Sequence, residues 1–155
     1  MKIIISPYSK TLRNGSKKHP KNFPYWSELI TLLKNEGHDI LQVGVHGEEK
    51  LVENCLFNLS FAELKKVLQE ADTFISVENF FPHFAHHYGK SGIVLFSSSD
   101  PKIFGYPENI NLLKSRRFLR PDQFGIWESA KYAKEAFVSP NDVLVALTAK
   151  EKVVS

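Results

Sequence analysis

Short runs rich in β-branched and other apolar residues alternate along this chain with single amphipathic stretches of helical period, and few folds accept that order. Lys2–Ser6 (KIIIS) reads as a first strand, ended by Pro7. Pro24 suits the first turn of a helix, in which Trp26, Leu29, Ile30 and Leu33 recur at i, i+3, i+4 and i+7 before Gly37 stops the run. Asp39–Val45 (DILQVGV) reads as a second strand. Ser60, with Glu63 three residues on, forms a capping box ahead of the apolar face Phe61, Leu64, Val67 and Leu68. Thr73–Val77 and Gly92–Phe96 read as the third and fourth strands. Helices are expected over Phe124–Phe137 and over Asn141–Ala149, the latter started by Ser139-Pro140. Strands joined by single helices predict an α/β fold, a single Rossmann-like domain whose open parallel sheet carries helices on both faces. A length of 155 residues suits one domain spanning 1–155.

Composition removes several function classes. One cysteine, Cys55, permits neither a disulfide framework nor a thiolate zinc cage within one chain. No stretch approaches the roughly 20 apolar residues of a membrane span, and the short run Ile3–Ile5 has no cleavage pattern, so a cytoplasmic protein is expected. His83, His86 and His87 lack an intervening carboxylate or cysteine, and no metal is expected. Ser97-Ser98-Ser99 lacks the glycines of a nucleophile elbow, and buried structural packing is the reading for Cys55. Neither G-x-G-x-x-G nor a Walker-type phosphate loop occurs.

In a doubly wound sheet, ligands bind outside the carboxyl ends of the strands. The loops there are Pro7–Asn22, Val45–Glu49, Glu78–His83 and Ser97–Gly105. The first is basic: Lys2, Lys10, Arg13, Lys17, Lys18 and Lys21 fall within residues 1–27, which hold no acid. A second cluster is Lys114, Arg116, Arg117 and Arg120. Both read either as solvated surface or as anion sites. Asn79 suits the cap of a helix starting at Phe80, whose N-terminus would attract an anion. Glu78 at a strand end either accepts from ribose hydroxyls or simply favours that positive helix end. His83, nearest the strand end, suits a phosphate or hydroxyl partner. Tyr8, Phe23 and Tyr25 offer stacking surfaces for nucleic acid, but a net charge of +3 argues against that partner.

Four segments, in order, resemble glycosyltransferase family nine, the ADP-heptose:lipopolysaccharide heptosyltransferases and relatives. They are KNFPYWSELITLLKNEGHDILQVG (Lys21–Gly44), NLSFAELKKVLQEADTFISVEN (Asn58–Asn79), HFAHHYGKSGIVLFSSSDPKIFG (His83–Gly105) and VSPNDVLVAL (Val138–Leu147). The likeness is to the carboxyl-terminal, donor-binding half of that two-domain GT-B fold. It implies a metal-independent glycosyltransferase domain that binds a nucleotide diphosphate-sugar, with adenine or another purine as base, and needs no other cofactor. It implies Lys21 on phosphate, Glu78 on ribose, Asn79 and the following amides from Phe80 on diphosphate, and His83 beside them. Arg13 of the basic loop would add charge to stabilise the leaving diphosphate. Glu48 would contact the nucleoside, and Leu59 and Ser60 would border the base. Here Glu78 replaces the family's aspartate, Asn79 its Ser/Thr, Phe80 its glycine, and Ser97 the glycine after Leu-Phe. The family's amino-terminal half, which binds acceptor and supplies the catalytic carboxylate, has no counterpart. The catalytic residue is therefore unassigned, with Glu108 and Asp122 as the in-chain candidates. A second copy or a partner protein is expected to supply the acceptor side and to cover Tyr8, Phe80 and Phe81. The alternative is a non-catalytic module that binds or sequesters a nucleotide. In either case Lys21 is expected to be an exposed lysine of little weight in folding.

Overall fold

The structure, a computed structural model, describes residues 1–12 and 19–154. Six strands form one sheet: β1 (Lys2–Ser6), β2 (Asp39–Gly44), β3 (Cys55–Phe57), β4 (Thr73–Val77), β5 (Ile93–Phe96) and β6 (Ile110–Leu113). Their order is β3-β2-β1-β4-β5-β6, and every neighbouring pair is parallel. The helices are α1 (Trp26–Asn35), α2 (Phe61–Glu70), α3 (Phe80–His87), a single turn α4 (Pro101–Phe104) and α5 (Pro140–Val154). This is the α/β, Rossmann-like open sheet read from the sequence, with its chain reversal between β1 and β4.

The central strands are apolar throughout because both of their faces are covered. Ile3, Ile5, Ile75, Val77, Ile93 and Leu95 point towards α1 and α5, where Trp26, Leu29, Leu33, Val143 and Leu147 meet them. Ile4, Phe74, Val94 and Phe96 point the other way, against Leu64 and Leu68 of α2 and Phe81 and Ala85 of α3. The two-residue period of the strand thus divides one apolar run between two cores. Burying each such side chain stabilises the fold by about 1.5–3 kcal/mol as an upper estimate. Gly92 precedes β5 because Phe74 crosses close beside it; a Cβ there would lie 2.5 Å from the Phe74 carbonyl oxygen.

Two differences from the sequence reading have physical causes. The edge strands β3 and β6 are short, and no residue of either is fully buried, so neither shows a long apolar run. The helix expected over Phe124–Phe137 does not form. That segment holds two 3-10 turns, Trp127–Ser129 and Lys134–Ala136, around an extended path. It crosses the carboxyl edge of the sheet, where the Tyr132 hydroxyl donates to the Asn22 carbonyl at 3.3 Å. No helix among the described residues is long and apolar enough to cross a membrane.

Candidate functional site

The ends of β1 and β4 diverge at the chain reversal, and Asn79 spans the gap. Its Nδ2 donates to Ser6 Oγ (3.0 Å) and the Tyr8 carbonyl (3.1 Å), while its Oδ1 accepts from the Phe81 amide (2.9 Å) and from Ser76 Oγ (3.1 Å). Asn79 is thus the N-cap of α3 and also a clip between neighbouring strands. Pro82 removes a further amide from the first turn, so the helix start presents fewer free N–H groups than its sequence position promises.

Above that clip lies a cavity of about 770 Å³ with two unlike ends. The polar end gathers Lys21, Glu78, His19, Ser9 and His83. Lys21 Nζ sits 2.7 Å from Glu78 Oε2, with side chains 18% and 11% exposed. Glu78 Oε2 also accepts from Ser99 Oγ at 3.1 Å, and Lys21 Nζ lies 4.8 Å from the centre of the Trp127 ring. Lys21 is therefore not the exposed lysine expected: the buried Glu78 carboxylate and the indole hold it in place. Arg120 stacks on the same indole at 3.6 Å and donates to the Gln123, Gly125 and Ile126 carbonyls. Arg116 forms a two-pronged pair with Asp100 at 3.0 and 2.7 Å, which holds that carboxyl below the usual range. Within the second basic cluster, Arg116 and Arg120 are thus committed to holding their own loops.

The apolar end is built by Val45, Leu56, Leu59, Phe61, Leu64 and Phe80. Phe61 and Phe80 lie 5.9 Å apart with 69% and 52% of their surface exposed, and Phe84 braces both. Phe81, expected to be partly bare, is buried in the core against Phe74, since it is the second residue of α3 and faces the sheet. Tyr8 is half-buried and donates to Glu49 at 3.4 Å; burial and the neighbouring carboxylates push its hydroxyl pKa up.

Of the residues proposed from sequence, Lys21, Glu48, Leu59, Glu78, Asn79, Phe80 and His83 line this one cavity. Glu48 does so while bracing its own loop, Oε1 accepting from the Val45 amide at 2.8 Å; burial raises its pKa. Ser60 is the N-cap of α2 in a complete capping box with Glu63 and is not among the lining residues. Arg13, like Lys17 and Lys18, lies outside the described residues. His83 Nδ1 meets Tyr106 Oη at 2.7 Å. His86 stacks on Tyr106 and pairs with Glu108, and no cluster of three metal-binding side chains occurs among the described residues. Neither Glu108 nor Asp122 lines the cavity, and Asp122 accepts from the Phe124 amide at 3.0 Å. Cys55 is half-buried on β3, and burial raises its thiol pKa.

His19 and Trp127 are among the lining residues that the sequence does not single out. Trp127 arrives from the segment mistaken for a helix, more than a hundred residues from Lys21, and no local spacing marks it. His19 stands two residues before Lys21, in the same basic loop.

No protein-family model and no curated protein sequence matches the chain. Solved structures do. The E. coli heptosyltransferase WaaC with ADP matches with a TM-score of 0.66 and 18% identity over 95% of this chain and 43% of that one. The E. coli ADP-heptose LPS heptosyltransferase II matches at 0.64 and 14%, over 97% and 47%. The dodecameric iron-containing glycosyltransferase TibC of enterotoxigenic E. coli matches at 0.58 and 16%, over 92% and 36%. At these identities the likeness establishes the shared fold, and the chain spans less than half the length of each.

Proposed function

We propose that this chain binds a nucleotide diphosphate-sugar, an ADP-sugar-like donor, as the donor-binding domain of a glycosyltransferase of the GT-B type. The observation that carries this reading is the two-ended cavity at the chain reversal of the sheet. Its aromatic end suits a base, and its Lys21–Glu78 end suits a ribose and diphosphate. WaaC, solved with ADP, and TibC, solved with an ADP-heptose, share the fold and add support. Lys21 has ammonium protons beyond the one directed at Glu78, and these would meet the charge that grows on the departing diphosphate. The acceptor and its base would come from a wall outside these residues, contributed by a second copy, a partner protein or further chain.

One observation favours a second reading, a non-catalytic nucleotide-binding module. Both carboxylates that line the cavity are engaged, Glu78 by Lys21 and Ser99, and Glu48 by the Val45 amide. A thermal-shift panel of nucleotides and nucleotide-sugars tests binding, because a ligand specific for the native state raises its stability. Selective stabilisation by adenine diphosphate-sugars is expected, and no response to any member of the panel removes the proposal. Sugar transfer to added acceptors separates the two readings.

A further inference from the structure

We propose that His19 is a ligand-binding residue of this cavity, its Nε2–H donating to a phosphate-type oxygen held beside Lys21. The inference deepens the nucleotide-sugar reading and rests on it.

The proton's location follows from one hydrogen bond. The backbone amide of Lys21 lies 3.1 Å from His19 Nδ1, and an amide can only donate. Nδ1 must then offer its lone pair, and the proton of the neutral ring sits on Nε2. His19 is only 6% exposed and lines the cavity, yet Nε2 has no hydrogen-bond partner among the described residues. Nε2 is not one of the fully buried polar atoms that lack a partner, so it opens onto the cavity, where an arriving acceptor takes the place of water. A neighbouring ring supports the imidazole, and a hydroxyl supports the turn that carries it. Trp127 packs against it at 4.9 Å, and Ser97 Oγ, donating at 3.1 Å to the Pro20 carbonyl, anchors the adjoining turn.

The surroundings keep the ring neutral. Burial, then Lys21, then Arg120 lower its pKa to about 4, against a smaller opposing effect of Glu128. A neutral ring can donate from Nε2 without losing its bond to the Lys21 amide, whereas a second proton on Nδ1 would break that bond. The acceptor class follows from the neighbours. Lys21 supplies a positive charge, partly offset by Glu78, and His19 supplies an uncharged N–H; both side chains pack on the Trp127 ring, and the pair suits an anion with several oxygens, such as a diphosphate.

Nitrogen-15 spectra of histidine-labelled protein, with inorganic pyrophosphate and ADP-glucose as separate probes, test this. The free protein is expected to show an unprotonated Nδ1 and a protonated Nε2 at His19. Each probe is expected to shift the Nε2–H signal and slow its exchange with water. Calorimetry should show affinity for both probes about 10- to 100-fold weaker in His19→Phe. The loss should be smaller in His19→Gln, which keeps an N–H near the same place. Binding of ADP-glucose with the Nε2–H signal unmoved overturns the role of His19 and leaves the nucleotide-sugar reading standing. Pyrophosphate binding that moves the signal, with ADP-glucose inert, sustains His19 and removes the nucleotide-sugar reading. If neither probe binds, both fall. The wild-type spectra decide the matter even if His19→Phe does not fold.

Discussion

Lys21 and Glu78 are joined, so neither can be changed alone without consequence. Lys21→Ala should weaken ADP-glucose binding by about 1–3 kcal/mol, the worth of a charge-assisted phosphate contact. It should also lower stability by about 1–3 kcal/mol, because Glu78 stays buried with only Ser99 beside it. The double change Lys21→Met with Glu78→Gln should recover much of the stability and none of the affinity. Urea unfolding and calorimetry read the two effects separately, and an equally stable Lys21→Ala protein would contradict the pairing. His19 gives a second prediction, on pH. Its folded pKa of about 4 lies below the ordinary 6.5, so in that window the unfolded chain binds a proton that the folded chain refuses. Its contribution, up to about 3 kcal/mol, is complete above pH 6.5 and is lost as pH falls towards 4. His19→Gln should flatten the stability profile across that window, and an unchanged slope would assign the acid sensitivity elsewhere.

At the scale of elements, helix starts that look alike in sequence carry different work. Ser60 at the start of α2 is occupied by the Glu63 amide at 3.2 Å, and the Glu63 side chain returns to the Ser60 amide at 3.1 Å. Ser60→Ala should therefore cost about 1 kcal/mol of stability and leave ADP-glucose affinity unchanged. Phe80 at the start of α3 is half exposed beside Phe61, and its removal should act in the opposite sense. Phe80→Ala should weaken ADP-glucose by about 1–3 kcal/mol, the worth of a stacked base, with little effect on inorganic pyrophosphate. Equal losses for both ligands would deny that Phe80 meets the base. The capping box was legible because its partners lie within one turn. The start of α3 was legible as a cap, but not as the clip to Ser6 and Tyr8, since those partners come from another strand.

At the scale of the whole molecule, the two carboxylates that line the cavity among the described residues are both engaged. ADP-glucose at about 100 times its dissociation constant should stabilise the fold by about 2.7 kcal/mol. It should be recovered intact after incubation with this chain alone. Release of ADP with glucose passed to water, or to an acceptor added to the chain, would place a working base within the chain and remove the need for a second wall. The sequence alone determined the central strands, the helices α1, α2 and α5, and the gathering of Lys21, Glu78 and His83 on one rim. Each of these follows from a local period, a nearby cap, or the rule that parallel strands end on one side. Only the tertiary structure decided that Lys21 is held by Glu78 and that Phe81 turns inward while Phe80 turns out. It also decided that the stretch from Phe124 to Phe137 gives up a helix to bring Trp127 over Lys21. Those outcomes depend on residues as much as 106 positions apart competing for one partner, and the energy of a distant contact leaves no mark on local spacing.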